Sequence, residues 1–308
     1  MNIIGNINIA SYFDKVIKKD KVHHAYCLVG PTHIGKMHLA KQVAKKMLQV
    51  DKLEQSPDFI VVQNEINKKT GKTKKDISIE QIKHLRHFLS MTSASSGYKV
   101  AIIRNAEKMN ISASNALLKT LEEPTKNTVI ILTTKDNDLL LPTILSRSHV
   151  VHMTQLLQDK MSSSFFDDYN SDHDFKYIIA LSHGLPGLAI TLFTDQEKRN
   201  MYLQEVNRFY SFIDKPFSDK LNLVNSLFGD KSDHILQRQY IIEVLDLWLV
   251  LLRDIAQDKQ FEQSKTVANS FSNEIIVKLL NKITSSKIQL HKNIHPRLII
   301  EQILLLIP

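Results

Sequence analysis

Apolar residues along the chain fall into two regimes. Up to about residue 153, short apolar runs alternate with segments of helical period. The runs are Ala25-Tyr26-Cys27-Leu28-Val29, Asp58-Phe59-Ile60-Val61-Val62, Lys99-Val100-Ala101-Ile102-Ile103, Thr128-Val129-Ile130-Ile131-Leu132-Thr133 and Ser148-His149-Val150-Val151-His152. Runs this short and this apolar predict buried strands. Between them, Ile9, Phe13, Val16 and Ile17 predict one side of an amphipathic helix within 3–19. Leu39, Ala40, Val43, Ala44, Met47 and Leu48 predict a second helix. Ile79, Ile82, Leu85, Phe88 and Leu89 predict a third, opened by Ser78 with Gln81 three residues on, the spacing of a capping box. A fourth is expected over 111–122 and ends before Pro124, which has no N–H to continue it. Strands separated by helices predict a parallel sheet covered by helices on both faces.

Beyond about residue 155 the strand signal stops. Ser162, Ser163, Ser164, Asp167, Asp168 and Asp174 read as a surface linker. Residues 175–204 read as short helices around Gly184-Leu185-Pro186-Gly187, and 205–308 as long apolar helices. Pro296 suits the first turn of the last one, Leu298 to Leu306. The fold class is α/β, then all-α, with no internal repeat.

One stretch carries candidate chemistry. Gly30-Pro31-Thr32-His33-Ile34-Gly35-Lys36-Met37 has the G-x-x-x-x-G-K spacing between a strand and a helix. Such a loop wraps backbone N–H groups round phosphate oxygens, sends its Lys to the β/γ-phosphates, and binds Mg²⁺ through a Ser or Thr hydroxyl. Met37 stands where that hydroxyl belongs and has no oxygen. Gly30, Gly35 and Lys36 are the candidate nucleotide-binding residues of a degenerate loop. Lys36 read without a ligand is a solvated lysine at a helix start.

Charge and composition narrow the setting. The chain has 308 residues and a net charge of +8. Residues 1–153 hold 23 Lys/Arg against 13 Asp/Glu, a net of +10; residues 154–308 hold 17 against 19, a net of −2. A basic half can attract nucleic acid, and equally can be a lysine-rich solvated surface. The same two readings apply to the turn from Asn67 to Asp76, with five lysines and Gly71. A single cysteine, Cys27, excludes an internal disulfide and fits a reducing cytoplasm. Asn2, Asn6 and Asn8 interrupt the opening apolar residues, so no signal peptide is expected. Leu247 to Leu252 is apolar, but Asp246 and Arg253 bracket it, which predicts a core helix and no membrane span. His84 with His87, and His149 with His152, have a spacing that can share a helix face, yet lack the further ligands a zinc ion needs.

Several runs together resemble the clamp-loader subunits of bacterial DNA polymerase III, of the AAA+ class, and in particular the delta-prime family. Val22 to Pro31 looks like that family's lead into its phosphate loop. Val100-Ala101-Ile102-Ile103-Arg104-Asn105-Ala106-Glu107-Lys108-Met109 matches its Walker B region. Asn115-Ala116-Leu117-Leu118-Lys119-Thr120-Leu121-Glu122-Glu123-Pro124 is the most specific run. Leu140 to Ser148 matches the Ser-Arg-Cys segment, with Ser148 for Cys, and Asn293 to Glu301 is similar to the last collar helix. The strong matches cover 22–150.

The resemblance implies a RecA-like AAA+ domain over 1–153, a small helical lid over 154–204 and a helical collar over 205–308 that joins five subunits in a ring. It implies gamma/tau and delta subunits as partners in a hetero-pentamer, with the sliding clamp and primer-template DNA, and a cytoplasmic location. It implies a neighbour-directed role for Arg147 as an arginine finger; without it, Arg147 is a surface residue or half of a local salt bridge. Departures from the family pattern bear on nucleotide. His33 replaces a loop glycine, Met37 removes the hydroxyl, and Arg104 and Asn105 stand where Walker B acids would sit. The lid segment His183 to Leu188 lacks the arginine that active relatives place just after it. Mg²⁺ wants oxygen ligands, which this set does not offer. No ATP hydrolysis and no required cofactor are expected, with weak ATP or ADP binding left open through Gly35 and Lys36. The segment 47–58 has no Cys where relatives carry a four-cysteine module, so no zinc is expected. Ser112 and Ser114, at a helix start, are candidates for a place near DNA, and Ser146 and Ser148 position the backbone. The alternatives are an active gamma/tau-type motor, which needs an intact metal site, a small P-loop kinase, which needs an arginine-rich lid, and a free-standing DNA-binding protein.

Overall fold

The structure, a computed structural model, describes residues 3–66, 74–94, 97–169, 174–228, 234–257, 267, 270–291 and 294–308. Strands β1 (Ala25–Val29), β2 (Phe59–Val62), β3 (Lys99–Ile103), β4 (Thr128–Thr134) and β5 (His149–His152) form one sheet in the order β2-β3-β4-β1-β5. All four pairings are parallel. Every residue of β1, β3 and β4 is buried, as the unbroken apolar runs require when helices cover both faces.

Side chains alternate between those faces. Tyr26, Leu28, Val100, Ile102, Val129 and Ile131 face α1 (Ile7–Lys18) and α2 (Lys36–Leu48). Cys27, Val29, Ala101, Ile103, Ile130 and Leu132 face α3 (Ile79–Ser90) and α4 (Ile111–Glu122). Phe13, Leu39 and Val43 on the first face, and Leu85, Leu117 and Leu121 on the second, are almost completely buried. Each such side chain removed from water contributes about 1.5–3 kcal/mol. The Ser78–Gln81 capping box forms at the start of α3. After β4, the short α5 (Pro142–Leu145) leads into the edge strand β5.

Two expectations need correction. The Ser/Asp-rich stretch read as a linker is instead helix α6 (Gln158–Tyr169) over its described part. Met161 and Phe165, one helical turn apart, are fully buried with Phe175, Ile179 and Ala189. That burial outweighs the polar composition. His149 and His152 lie on β5, where a spacing of three puts them on opposite faces and not on one. The lysine-rich turn at Asn67–Asp76 falls largely outside the described residues.

Contacts divide the chain into two units, Met1–Phe193 and Thr194–Pro308. The first also contains α7 (Phe175–Ser182) and most of α8 (Pro186–Thr194). The second is helical: α9 (Gln196–Ser211), which runs unbroken through residues 204 and 205, α10 (Phe217–Val224), α11 (His234–Gln257), α12 (Asn273–His291) and α13 (Pro296–Leu304). Trp248 is buried there against Phe209 and Phe212, and its indole N–H donates to Glu205 Oε1 at 3.2 Å. Among the described residues no helix is long and apolar enough to cross a membrane; the Leu247–Leu252 run lies inside α11.

Candidate functional site: a self-filled phosphate loop and a paired arginine

The loop sits between β1 and α2, the setting its spacing predicted. Gly30 runs so close to Met153 that a Cβ there would lie 2.6 Å from the Met153 carbonyl oxygen, so no other residue fits without a shift. Its N–H donates to Thr134 O at 3.3 Å, tying the loop to the end of β4. His33 has a left-handed backbone (φ 63°), and Gly35, at φ 100°, leads into α2.

Lys36 is not the solvated lysine of the ligand-free reading. It is only 9% exposed, and its Nζ donates to Gly30 O at 2.5 Å and Pro31 O at 2.7 Å. The ammonium thus fills its own loop. Burial lowers its pKa to about 8; the Glu107 carboxylate opposes the shift and Lys135 adds to it. Both Glu107 carboxylate oxygens are buried without a hydrogen-bond partner. Glu107 belongs to the run that resembles a Walker B region, but nothing in the loop's own spacing points to it.

The start of α8 meets the same loop. At the start of α8, the Gly187 N–H donates to His33 O at 2.8 Å, and a Cβ on Gly187 would meet that oxygen at 2.8 Å. Glycine is what lets the two backbones touch. Met37 packs on the apolar cluster beneath α2. Arg104 is exposed past β3, with Nη1 3.4 Å from Gln63 Oε1, and the Asn105 N–H donates to Thr133 Oγ1 at 3.0 Å. A thioether and a guanidinium offer no hard oxygen, and the loop lysine is spent on its own carbonyls. Met37, Arg104 and the inward-turned Lys36 do not fit a Mg²⁺–nucleotide, and the carboxylate that acts on Lys36 is that of Glu107. Among the described residues no group of three or more His, Cys, Asp or Glu is placed to hold a metal. Cys27 is fully buried, with its thiol pushed up to about 12 by burial, which makes it unreactive.

Arg147 lies just past α5, on a different turn of chain from the loop. Its Nη2 is 2.9 Å from Glu122 Oε1, and Nη1 donates to Thr143 O at 3.1 Å and Ser146 Oγ at 3.3 Å. The local salt bridge is therefore present, a partner that the sequence held in its Leu-Glu-Glu-Pro run but did not assign. Ser146 and Ser148 donate to the carbonyls of Thr143 and Ile144, the backbone role expected of them. On α4, Ser112 is exposed and Ser114 is buried, so only Ser112 faces solvent.

Residues 5–157 match the protein-family model described as DNA polymerase III, delta subunit. The DNA polymerase III subunit delta' of Pseudomonas aeruginosa is 36% identical over 140 residues, 40% of this chain and 41% of that one. Its counterpart in Haemophilus influenzae is 27% identical over 221 residues, 66% of this chain and 64% of that one. The chain thus spans less than two thirds of these relatives. A DNA polymerase III, gamma subunit-related protein from Thermotoga maritima superposes with a TM-score of 0.51 at 18% identity, covering 95% of this chain and 97% of that one, a likeness of fold. Taken with the strand–loop–helix frame and the Arg147 segment, these matches place residues 5–157 of this chain in the DNA polymerase III delta-prime family.

Proposed function

We propose that the chain is a non-motor, stator-like subunit of a DNA polymerase III clamp loader, helping to place the sliding clamp on primed DNA. In this reading it joins gamma/tau-type and delta-type subunits, hydrolyses no ATP itself, and reaches with Arg147 into the ATP site of the subunit beside it. A guanidinium supplied in trans stabilises charge developing on the transferred phosphoryl group. That gives a chain with a disabled loop a continuing part in the machine's ATPase.

The observation that carries the reading is the state of the loop. Lys36 is bound to Gly30 and Pro31, Gly187 sits on His33, and Met37 and Arg104 stand where metal chemistry would need oxygen. The family match and the Leu140–Ser148 segment support the in-trans part. Weak binding of ATP or ADP would have to open the lid contact and free Lys36 first.

The test is reconstitution with the partner subunits followed by an ATPase assay. The purified chain should turn over ATP no faster than a Lys36→Ala control. Arg147→Ala should leave the fold intact and reduce hydrolysis at the served site by roughly 10³–10⁵, with the other sites unaffected. Turnover by the chain above the control would favour the gamma/tau motor instead. An unchanged rate in the Arg147→Ala complex would remove the finger.

A further inference from the structure

Arg147 is held within its own chain by three contacts, and only one of them is to an anion. Thr143 O and Ser146 Oγ hold Nη1 from the turn that carries the residue, while Glu122 Oε1 takes Nη2. Glu122 is the last residue of α4. Its neighbour Leu121, and Ile144 on α5, are buried in one apolar cluster, so a rigid core sets the approach of carboxylate to guanidinium. The side chains themselves are 37% and 49% exposed. An ion pair this open is weak and screened by salt, and it exchanges readily. A carboxylate presents oxygens to a guanidinium as a phosphate does, with less charge.

We propose that Glu122 is a holding carboxylate for the finger. It occupies Nη2 while the subunit is alone, and the triphosphate bound to the neighbouring subunit displaces it on assembly. The inference rests on the finger reading of Arg147 and adds its regulation. Glu122 is a positioning residue, since it acts through Arg147 and touches no substrate. Thr143 and Ser146 keep the guanidinium near its place during the exchange, so release costs one contact out of three. The carboxylate therefore opposes engagement, and its charge sets how readily the finger leaves.

The experiment compares reconstituted loaders containing the wild-type chain, Glu122→Gln, Arg147→Ala and the double variant, with Glu122→Asp as the conservative control. At subsaturating ATP and low salt, Glu122→Gln should raise kcat/KM by about two- to five-fold, the range open to an exposed ion pair. The gain should shrink with added salt, be absent in the Arg147→Ala background, and be absent in Glu122→Asp. Three results overturn the proposal: no change on Glu122→Gln where Arg147→Ala is impaired, an equal change in both backgrounds, or a fall in kcat, which would make Glu122 an aligning group. Arg147→Ala without effect is a different failure, that of the finger reading, and it takes the holding role down with it.

Discussion

Buried beneath its own loop, the Lys36 ammonium exchanges water for two carbonyl oxygens, and burial brings its pKa from 10.5 down to about 8. An unfolded chain keeps the ordinary lysine value. Between those two values the unfolded state binds more protons than the folded one, so stability rises with pH across the window. Unfolding free energies from denaturant titrations should climb from about pH 8 to about pH 10.5, by at most roughly 1.4 kcal/mol per pH unit, and Lys36→Met should flatten the profile. A wild-type profile already flat there would put the ammonium in water. Loop spacing was enough to single out Lys36. It does not say whether the ammonium turns outward to a phosphate or inward to Gly30 and Pro31, because that depends on how the folded loop aims those two carbonyls.

Helix α4 links the two candidate sites' surroundings, since it packs on the sheet and ends at Glu122. Its start depends on Asn110, whose Oδ1 accepts the Ala113 N–H at 2.8 Å. Asn110→Ala should cost about 1 kcal/mol of stability, read by thermal or denaturant unfolding. A loss near zero would mean the helix start is held by packing alone. The bounds of α4 and the strand β3 were legible because apolar period and breaker residues coincide there. Helix α6 was not: Met161, Phe165, Phe166 and Tyr169 stand among Ser and Asp, and the burial of Met161 and Phe165 depends on Phe175 and Ile179 from the next helix. A helix carried by tertiary packing leaves a weak local pattern. The two histidines of β5 mislead in the same way, since a spacing of three means one face on a helix and two faces on a strand.

Across the molecule, positive charge gathers in residues 1–153, and exposed apolar side chains recur on the helices of the second unit. On and just past α13, Leu298 and Leu305 are 54% and 64% exposed, seven residues and two turns apart on one side. On α12, Val277 and Ile288 are exposed three turns apart. Under the proposed function this unit carries the assembly surface. Leu298→Asp with Leu305→Asp should leave the helical circular dichroism unchanged and abolish co-elution with gamma/tau and delta subunits on gel filtration. Co-elution retained by the double variant would move the contact to another face.

The order of elements, the parallel sheet, the loss of oxygen ligands at Met37 and Arg104, and the family all follow from the chain read in line. Each depends on residues that are close in sequence or on what a side chain is made of. The self-filled loop, the Gly187 contact with His33 and the Glu122 partner of Arg147 were decided only by folding. The Lys36 bonds are local, five and six residues apart, but need the curled backbone that folding gives the loop; the other two contacts join residues far apart in sequence, which the core brings together and no local pattern records.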